Sequence, residues 1–352
     1  LRFYLLEIAR GLLPDNRIKV CWRYPLPARK SIEIIYSDER GCARSNGTMK
    51  CGSGWVCPAC MRYISQRRRE ELETAMSRSK DKYFTVMLTF TARHNRGDGL
   101  KDLLAAMVKA YGKTFSGRWW QTMKTELMAS GAIRATEITY GANGWHPHFH
   151  VIWFVDKAML DDDIAGSPEE YAQAVLSHVG DQWLTKLESV GLSGNSAAFD
   201  VRTANDDIAE YVSKWGHMPA DWSSNVSAYE VASATTKKAR NGNIGVLDML
   251  FNSERDPHMK HLFLEYYHAT KNKSQLHWSK GLKAELDIDI IRDEIAAQGI
   301  ETETDRLLAE IPIYDWKNIV SNGFLGQVMT YANAGDENRL KWLLERLRDK
   351  FP

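Results

Sequence analysis

The chain has 352 residues, 44% of them hydrophobic and 26% charged, with a formal net charge of +1. That is enough apolar material for at least one buried core and allows two. No apolar run approaches the roughly 20 residues of a membrane span; the longest, Phe84–Phe90 and Val151–Val155, are strand-sized. Leu1–Leu13 mixes apolar residues with Glu7 and Arg10 and does not read as a signal peptide, so the bacterial cytoplasm is the expected compartment and no membrane partner is expected. The charge is unevenly spread. Residues 1–120 hold 23 Lys+Arg against 11 Asp+Glu, and the remainder holds 23 against 34. A basic N-terminal third fits a polyanionic partner.

Residues 1–80 contain all five cysteines: Cys21, Cys42, Cys51, Cys57 and Cys60. Cys57-Pro58-Ala59-Cys60 is a Cys-x-x-Cys knuckle, and Cys51 lies six residues before it. A structural Zn²⁺ takes four ligands in a closed tetrahedron, so Cys51, Cys57 and Cys60 need a fourth. Cys21 and Cys42 both qualify. Cys21 is preferred, because it precedes a strand-like segment that can fold back. A redox reading of the knuckle lacks the strand–helix context that such motifs have. The segment ends in a basic helical stretch, Arg62–Ser79, on which Arg67 and Arg68, with Arg69, either meet DNA phosphates or form a solvated face.

Residues 81–216 alternate strand and helix patterns. Phe84–Thr91 is β-rich, and Leu103, Leu104, Met107 and Val108 give Leu100–Tyr111 a helical period. Ile133–Tyr140 and Trp145–Val155 read as two strands joined by the tight connection Gly141–Gly144. Residues 168–190 look helical, Phe199–Arg202 is a short strand and Asp207–Trp215 a helix. Strands with interspersed helices and a hairpin predict an α+β domain on an antiparallel sheet.

Trp145-His146-Pro147-His148-Phe149-His150 is the strongest local signal. Side chains alternate faces along a strand, so His146, His148 and His150 share one face, while Phe149, Val151 and Trp153 face the core. The hairpin brings Glu137 alongside as a hard oxygen ligand. Histidines with one carboxylate suit Mn²⁺, with Mg²⁺ as the other candidate. The alternative is a histidine-rich surface strand without a ligand. On the later helix, Asp207, Tyr211 and Lys214 share a face at i, i+4 and i+7. A phenolate is a competent phosphoryl nucleophile, although a free pKa near 10 demands activation. The plain alternative is an amphipathic helix with a packed tyrosine.

Residues 217–245, rich in Ser, Asn, Gly and Lys, read as a loop or linker. Residues 246–352 read as mostly helical, with acidic stretches at Glu285–Glu294 and Glu301–Glu310. No Gly-rich phosphate loop followed by Lys-Ser/Thr occurs, which argues against a fused helicase.

Taken together, these motifs resemble the HUH endonuclease superfamily, specifically the plasmid rolling-circle replication initiators with a single catalytic tyrosine. Thr89-Phe90-Thr91 looks like the first motif, His148-Phe149-His150 like the metal motif and Tyr211-Val212-Ser213-Lys214 like the Tyr-x-x-Lys motif. Glu137 sits where a third ligand is expected. The resemblance spans about residues 50–280. It includes Cys51–Cys60 before the core and Leu276–Leu282 after it. It implies an HUH nuclease core with a central antiparallel sheet flanked by helices, an N-terminal zinc-binding segment and a helical C-terminal region. It also implies a nick-and-join reaction, in which Tyr211 keeps the 5′ phosphate and releases a 3′ hydroxyl. The implied partners are a single-stranded or extruded DNA origin, contacted by Thr89 and Thr91 among others, then a host helicase and a DNA polymerase. Related initiators carry a Glu one turn before the tyrosine; here Asp207 stands there and Glu210 directly precedes Tyr211. Asp207 is preferred as base because an i−1 residue points about 100° away around the helix. His146-Pro147-His148-Phe149-His150 also resembles the histidine-triad nucleotide hydrolases, but Pro147 and the mid-chain position depart from that pattern. A transposase on the same core and a non-catalytic zinc-containing DNA-binding protein are the competing functions.

Overall fold

The structure, a computed structural model, describes residues 1–159, 167–202 and 243–351. Asp207, Glu210, Tyr211 and Lys214, and nearly all of 217–245, lie outside the described residues. The chain opens with α1 (Arg2–Leu12), β1 (Ser31–Ser37), β2 (Cys42–Asn46) and α2 (Pro58–Ser79). Then come β3 (Tyr83–Phe90), α3 (Leu100–Thr114), α4 (Gly117–Glu126), β4 (Ala129–Gly141), β5 (Gly144–Asp156), α5 (Pro168–Glu188) and β6 (Phe199–Arg202). The C-terminal part holds α6 (Val246–Asn252), α7 (Pro257–Thr270), β7 (Leu276–Trp278), the single turns α8 (Leu282–Glu285) and α9 (Asp293–Ala296), and β8 (Asp305–Pro312). It closes with α10 (Ile313–Ser321), α11 (Leu325–Asn333) and α12 (Glu337–Lys350). No helix among the described residues is long and apolar enough to cross a membrane.

The fold is α+β, with a five-stranded sheet of order β6-β3-β5-β4-β7 in which every neighbouring pair is antiparallel. β3 is aromatic and β-branched and is buried along nearly its whole length, as suits a strand covered on both faces. Odd-numbered Phe149, Val151 and Trp153 of β5 join Phe90, Leu104, Met107 and Trp183 in the main core, beneath α3 and α5. Even-numbered Ile152 and Phe154 meet Leu72 and Ala75 of α2 on the opposite face. Toward the hairpin that second face carries the histidines. There β5 alternates, with half-buried His146, His148 and His150 between buried Pro147, Phe149 and Val151.

The hairpin is seated by Gly144. Its φ of +91° lies in the left-handed region, and a Cβ there would meet Asn95 O and Arg96 Cα at 2.9 Å. Only glycine lets the loop after β3 lie directly against this turn.

A second, three-stranded sheet has the order β2-β1-β8. Both pairings are antiparallel, so the N-terminal segment and the C-terminal region share one sheet. The C-terminal helices expected from the sequence are present, but part of the acidic stretch Glu301–Glu310 forms strand β8 instead. Leu308 and Ile311 of β8 are both buried. The register shifts opposite Ile34 and Ile35, skipping Leu308. Such a bulge lets residues three apart share a face.

Candidate active site

The pairing of β4 with β5 sets Glu137 opposite His148, and that of β3 with β5 sets Thr89 opposite His150. One Glu137 carboxylate oxygen lies 3.0 Å from His148 Nε2 and 3.4 Å from His150 Nε2. The ligand atoms of Glu137, His148 and His150 all fall within 4.8 Å of one another. Hydrogen bonds from His148 and then His150 hold the Glu137 carboxyl well below the usual carboxylate range. Thr89 Oγ1 sits 3.3 Å from His150 Nδ1, which turns Nε2 toward Glu137. One carboxylate and two imidazoles converging through Nε2 make a donor set that fits a divalent ion of the Mn²⁺ or Mg²⁺ kind. Both histidine side chains are 15% exposed, and Glu137 is 50% exposed. The position is therefore sheltered below and open above.

His146, expected as an optional ligand, stands outside this trio. Its ring stacks on His94 with centroids 4.8 Å apart and lies 5.1 Å from the His148 ring. Burial, then the neighbouring His148 and His94, lowers its pKa to about 4, so at neutral pH it adds no positive charge beside the ligands. His94 carried no signal in the sequence beyond its place in the loop that follows Thr89-Phe90-Thr91. That loop, the hairpin turn and Ser193–Ala198 line an open cleft beside the histidine strand.

Several tyrosines near the site have packing roles. Tyr266 is buried against Trp55 and Trp145, and burial, then Glu137, pushes its phenol up. Tyr140 packs its ring on Trp145, and the Tyr267 hydroxyl accepts from Asn16 at 3.0 Å.

The second cluster gathers four thiols. Cys21, Cys51, Cys57 and Cys60 are all buried, with their sulfurs within 4.8 Å of one another. Cys21 lies 3.3 Å from Cys60 and 3.7 Å from Cys57, and Cys51 lies 3.6 Å from Cys60. Ligands about 2.3 Å from a tetrahedral Zn²⁺ stand about 3.8 Å apart, so the four thiols fit that ion. Local structure explains the knuckle. Cys57 is the N-cap of α2, Pro58 occupies its first turn, and Cys57 Sγ accepts from the Cys60 amide. Cys42, the other candidate for the fourth position, lies on β2, outside the group. Buried Lys50 stands beside the cluster. It donates to Ser45 and Thr48 at 2.7 and 2.6 Å and sits 3.4 Å over the Trp22 ring. Burial lowers its pKa to about 7, opposed by the Cys21, Cys60 and Cys57 thiolates.

The four residues expected at DNA are placed differently from one another. Thr91 lines the cleft, and Thr89 supports His150. Arg68 bonds Glu71, Asp293 and the Ile291 carbonyl, while Arg67 stands 3.7 Å from Glu70. Arg68 ties α2 to the segment around Asp293, whereas the Arg67–Glu70 pair lies within α2.

Residues 44–164, which include β3, the hairpin and both site strands, match the sequence profile of a family described as "Replication protein". A protein named "Protein rep" from Streptomyces lividans is 26% identical over 346 residues, covering 78% of this chain and 70% of that protein. About a third of the chain thus carries a replication protein domain, and both findings support a replication initiator. The plasmid rolling-circle kind of initiator is the one these likenesses support. A second "Protein rep", from a Bacillus species, is 35% identical over 74 residues, 20% of this chain and 22% of its own length. A "Neomycin resistance protein" from Streptomyces cyanogenus is 33% identical over 141 residues, about a third of each chain. No solved structure matches the chain.

Proposed function

We propose that the chain is a site-specific endonuclease that nicks and rejoins single-stranded or extruded origin DNA through a 5′-phosphotyrosine link. The observation that carries this reading is the convergence of Glu137, His148 and His150 on one point of an otherwise apolar sheet. A divalent ion held there would polarise the scissile phosphate. Thr89 keeps His150 oriented, and the walls of β4 and β5 exclude water from beneath. In the reaction, the Tyr211 oxygen attacks phosphorus and forms the P–O bond as the P–O3′ bond breaks. Asp207 takes the phenolic proton, Lys214 steadies the phosphate charge, and the departing 3′ oxygen takes a proton from water. The packing of Tyr140, Tyr266 and Tyr267 supports a nucleophile elsewhere in the chain. Cys21, Cys51, Cys57 and Cys60 would hold a structural Zn²⁺. Arg67, Arg68, Thr89 and Thr91 would contact the DNA, with Thr91 lining the open cleft. The origin strand is the direct partner; a helicase and a polymerase would act on the released 3′ end. The chain would divide into four parts at 80, 216 and 245.

The test is incubation of the full chain with single-stranded oligonucleotides and Mn²⁺. A covalent adduct should form and map to Tyr211, and Tyr211→Phe should bind DNA but form none. An adduct on another residue, or cleavage by Tyr211→Phe at the wild-type rate, overturns the reading.

A further inference from the structure

The nicking chemistry leaves one large feature unused. The cleft beside the histidine strand has a volume of about 550 Å³, within the range of about 300–1,000 Å³ typical of ligand pockets. Arg93, His94 and Asn95 of the loop after β3 form one side, Asn143 and His146 of the hairpin a second, and Asn195 the third. Among the described residues no Asp or Glu lines it, although the chain has 45 of them. The walls are fixed by backbone bonds: Thr91 N to Ala198 O and Arg93 N to Ser193 O, both 2.8 Å. Gly144 fixes the hairpin against Asn95.

His94 is the flat element of this cleft. Its ring stacks on His146 with an interplanar angle of 22°, and its Nδ1 lies 3.1 Å from Ala92 O. A ring held this way has already lost its rotamer freedom, so a second ring can stack on it at little entropic cost. Three amides stand around it. Asn195 uses its Oδ1 to cap Ala197 N at 3.1 Å, which turns its NH₂ outward. Amides that donate and accept beside an aromatic platform suit the polar edge and π-face of a nucleobase. Centroid steps of 4.8, 5.1 and 4.8 Å then lead from His94 through His146 and His148 to His150. A base in the cleft is thus a few ring widths from the Glu137 site, about the reach of two nucleotides.

We infer that this cleft holds one unpaired base of the DNA strand near the scissile phosphate, stacked on His94 and read at its edge by Asn95, Asn143 and Asn195. The inference rests on the nicking reading for the identity of the strand; its test does not. Binding of fluorescein-labelled oligo(dT), and of a fully abasic strand of equal length, is measured in chelator, where no cleavage occurs. His94→Ala should weaken oligo(dT) binding about tenfold, the order expected for one base–aromatic stack. His94→Tyr should restore it, and neither change should alter binding of the abasic strand. Photocrosslinking of 5-iodouracil oligonucleotides should label the peptide containing His94. Should His94→Ala fail to fold, Asn143→Ala, on the exposed turn, must reduce oligo(dT) binding several-fold in its place. Oligo(dT) binding unchanged in His94→Ala, or an equal loss on the abasic strand, overturns the inference. Loss of base binding without any Tyr211 adduct in the wild type would leave the cleft standing and remove the nicking reading.

Discussion

Thr89 belongs to a motif whose resemblance implies DNA contact, yet its hydroxyl sits against His150 Nδ1. A ring nitrogen held in this way fixes which nitrogen faces the ligand position, and such supporting contacts are typically worth 10–100-fold in metal affinity. Thr89→Val removes the hydroxyl and keeps the branched shape that β3 packs. The expected outcome is Mn²⁺ binding weaker by about one order of magnitude, with the melting temperature little changed. Titration followed by Mn²⁺ electron paramagnetic resonance checks it. Unchanged affinity would return Thr89 to the role of a DNA contact only. His148→Ala removes a ligand outright and should abolish Mn²⁺-dependent cleavage with the fold retained, since its side chain stands at the open end of the sheet. Cleavage at the wild-type rate by this variant would remove the metal centre from the mechanism.

At the scale of elements, the hairpin was legible because its signals are local: alternation along Trp145–Val155, a glycine-rich turn and a carboxylate in register. The three-stranded sheet was not, for two physical reasons. β1 and β8 are separated by most of the chain, and a pairing of that range leaves no periodic trace in either strand. The bulge opposite Ile34 and Ile35 also puts Leu308 and Ile311 three residues apart on one buried face. In sequence that is a helical spacing, carried by Leu, Ala and Glu, which are strong helix formers. Tertiary pairing overrides the propensity. The His94 cleft was hidden for a related reason, because three loops distant in sequence build it. Gly144 is where two of its walls touch. Gly144→Ala combines a φ of +91° with a Cβ at 2.9 Å from rigid backbone, which should cost roughly 1–3 kcal/mol. Urea unfolding measures it, and a midpoint equal to wild type would mean the loop can move aside freely.

Across the whole molecule, the four-cysteine cluster sits where separate layers meet. Cys21 follows α1 and its short connecting turn, Cys51 follows β2, and Cys57 and Cys60 form the first turn of α2. Farther along, α2 packs Leu72 and Ala75 against the central sheet. An ion on these thiols would therefore tie the N-terminal segment and its three-stranded sheet to the five-stranded sheet. Zn²⁺ with four thiolates would carry two net negative charges, and these would favour the ammonium form of buried Lys50 beside the cluster. Protein purified without chelator should contain about one zinc per chain. Cys57→Ser and Cys21→Ser should lose it, together with more than about 4 kcal/mol of stability, since loss of a structural metal belongs to the most damaging class of change. Cys42→Ser should keep both, because Cys42 stands outside the cluster. The ligands bind as thiolates, so acid competes with the ion, and zinc should be released as pH falls. Atomic absorption and thermal melts on the three variants decide the matter. Zinc retained by Cys21→Ser and lost by Cys42→Ser would reverse the choice of fourth ligand. A zinc-free chain with wild-type stability would show that the thiols pack without a metal.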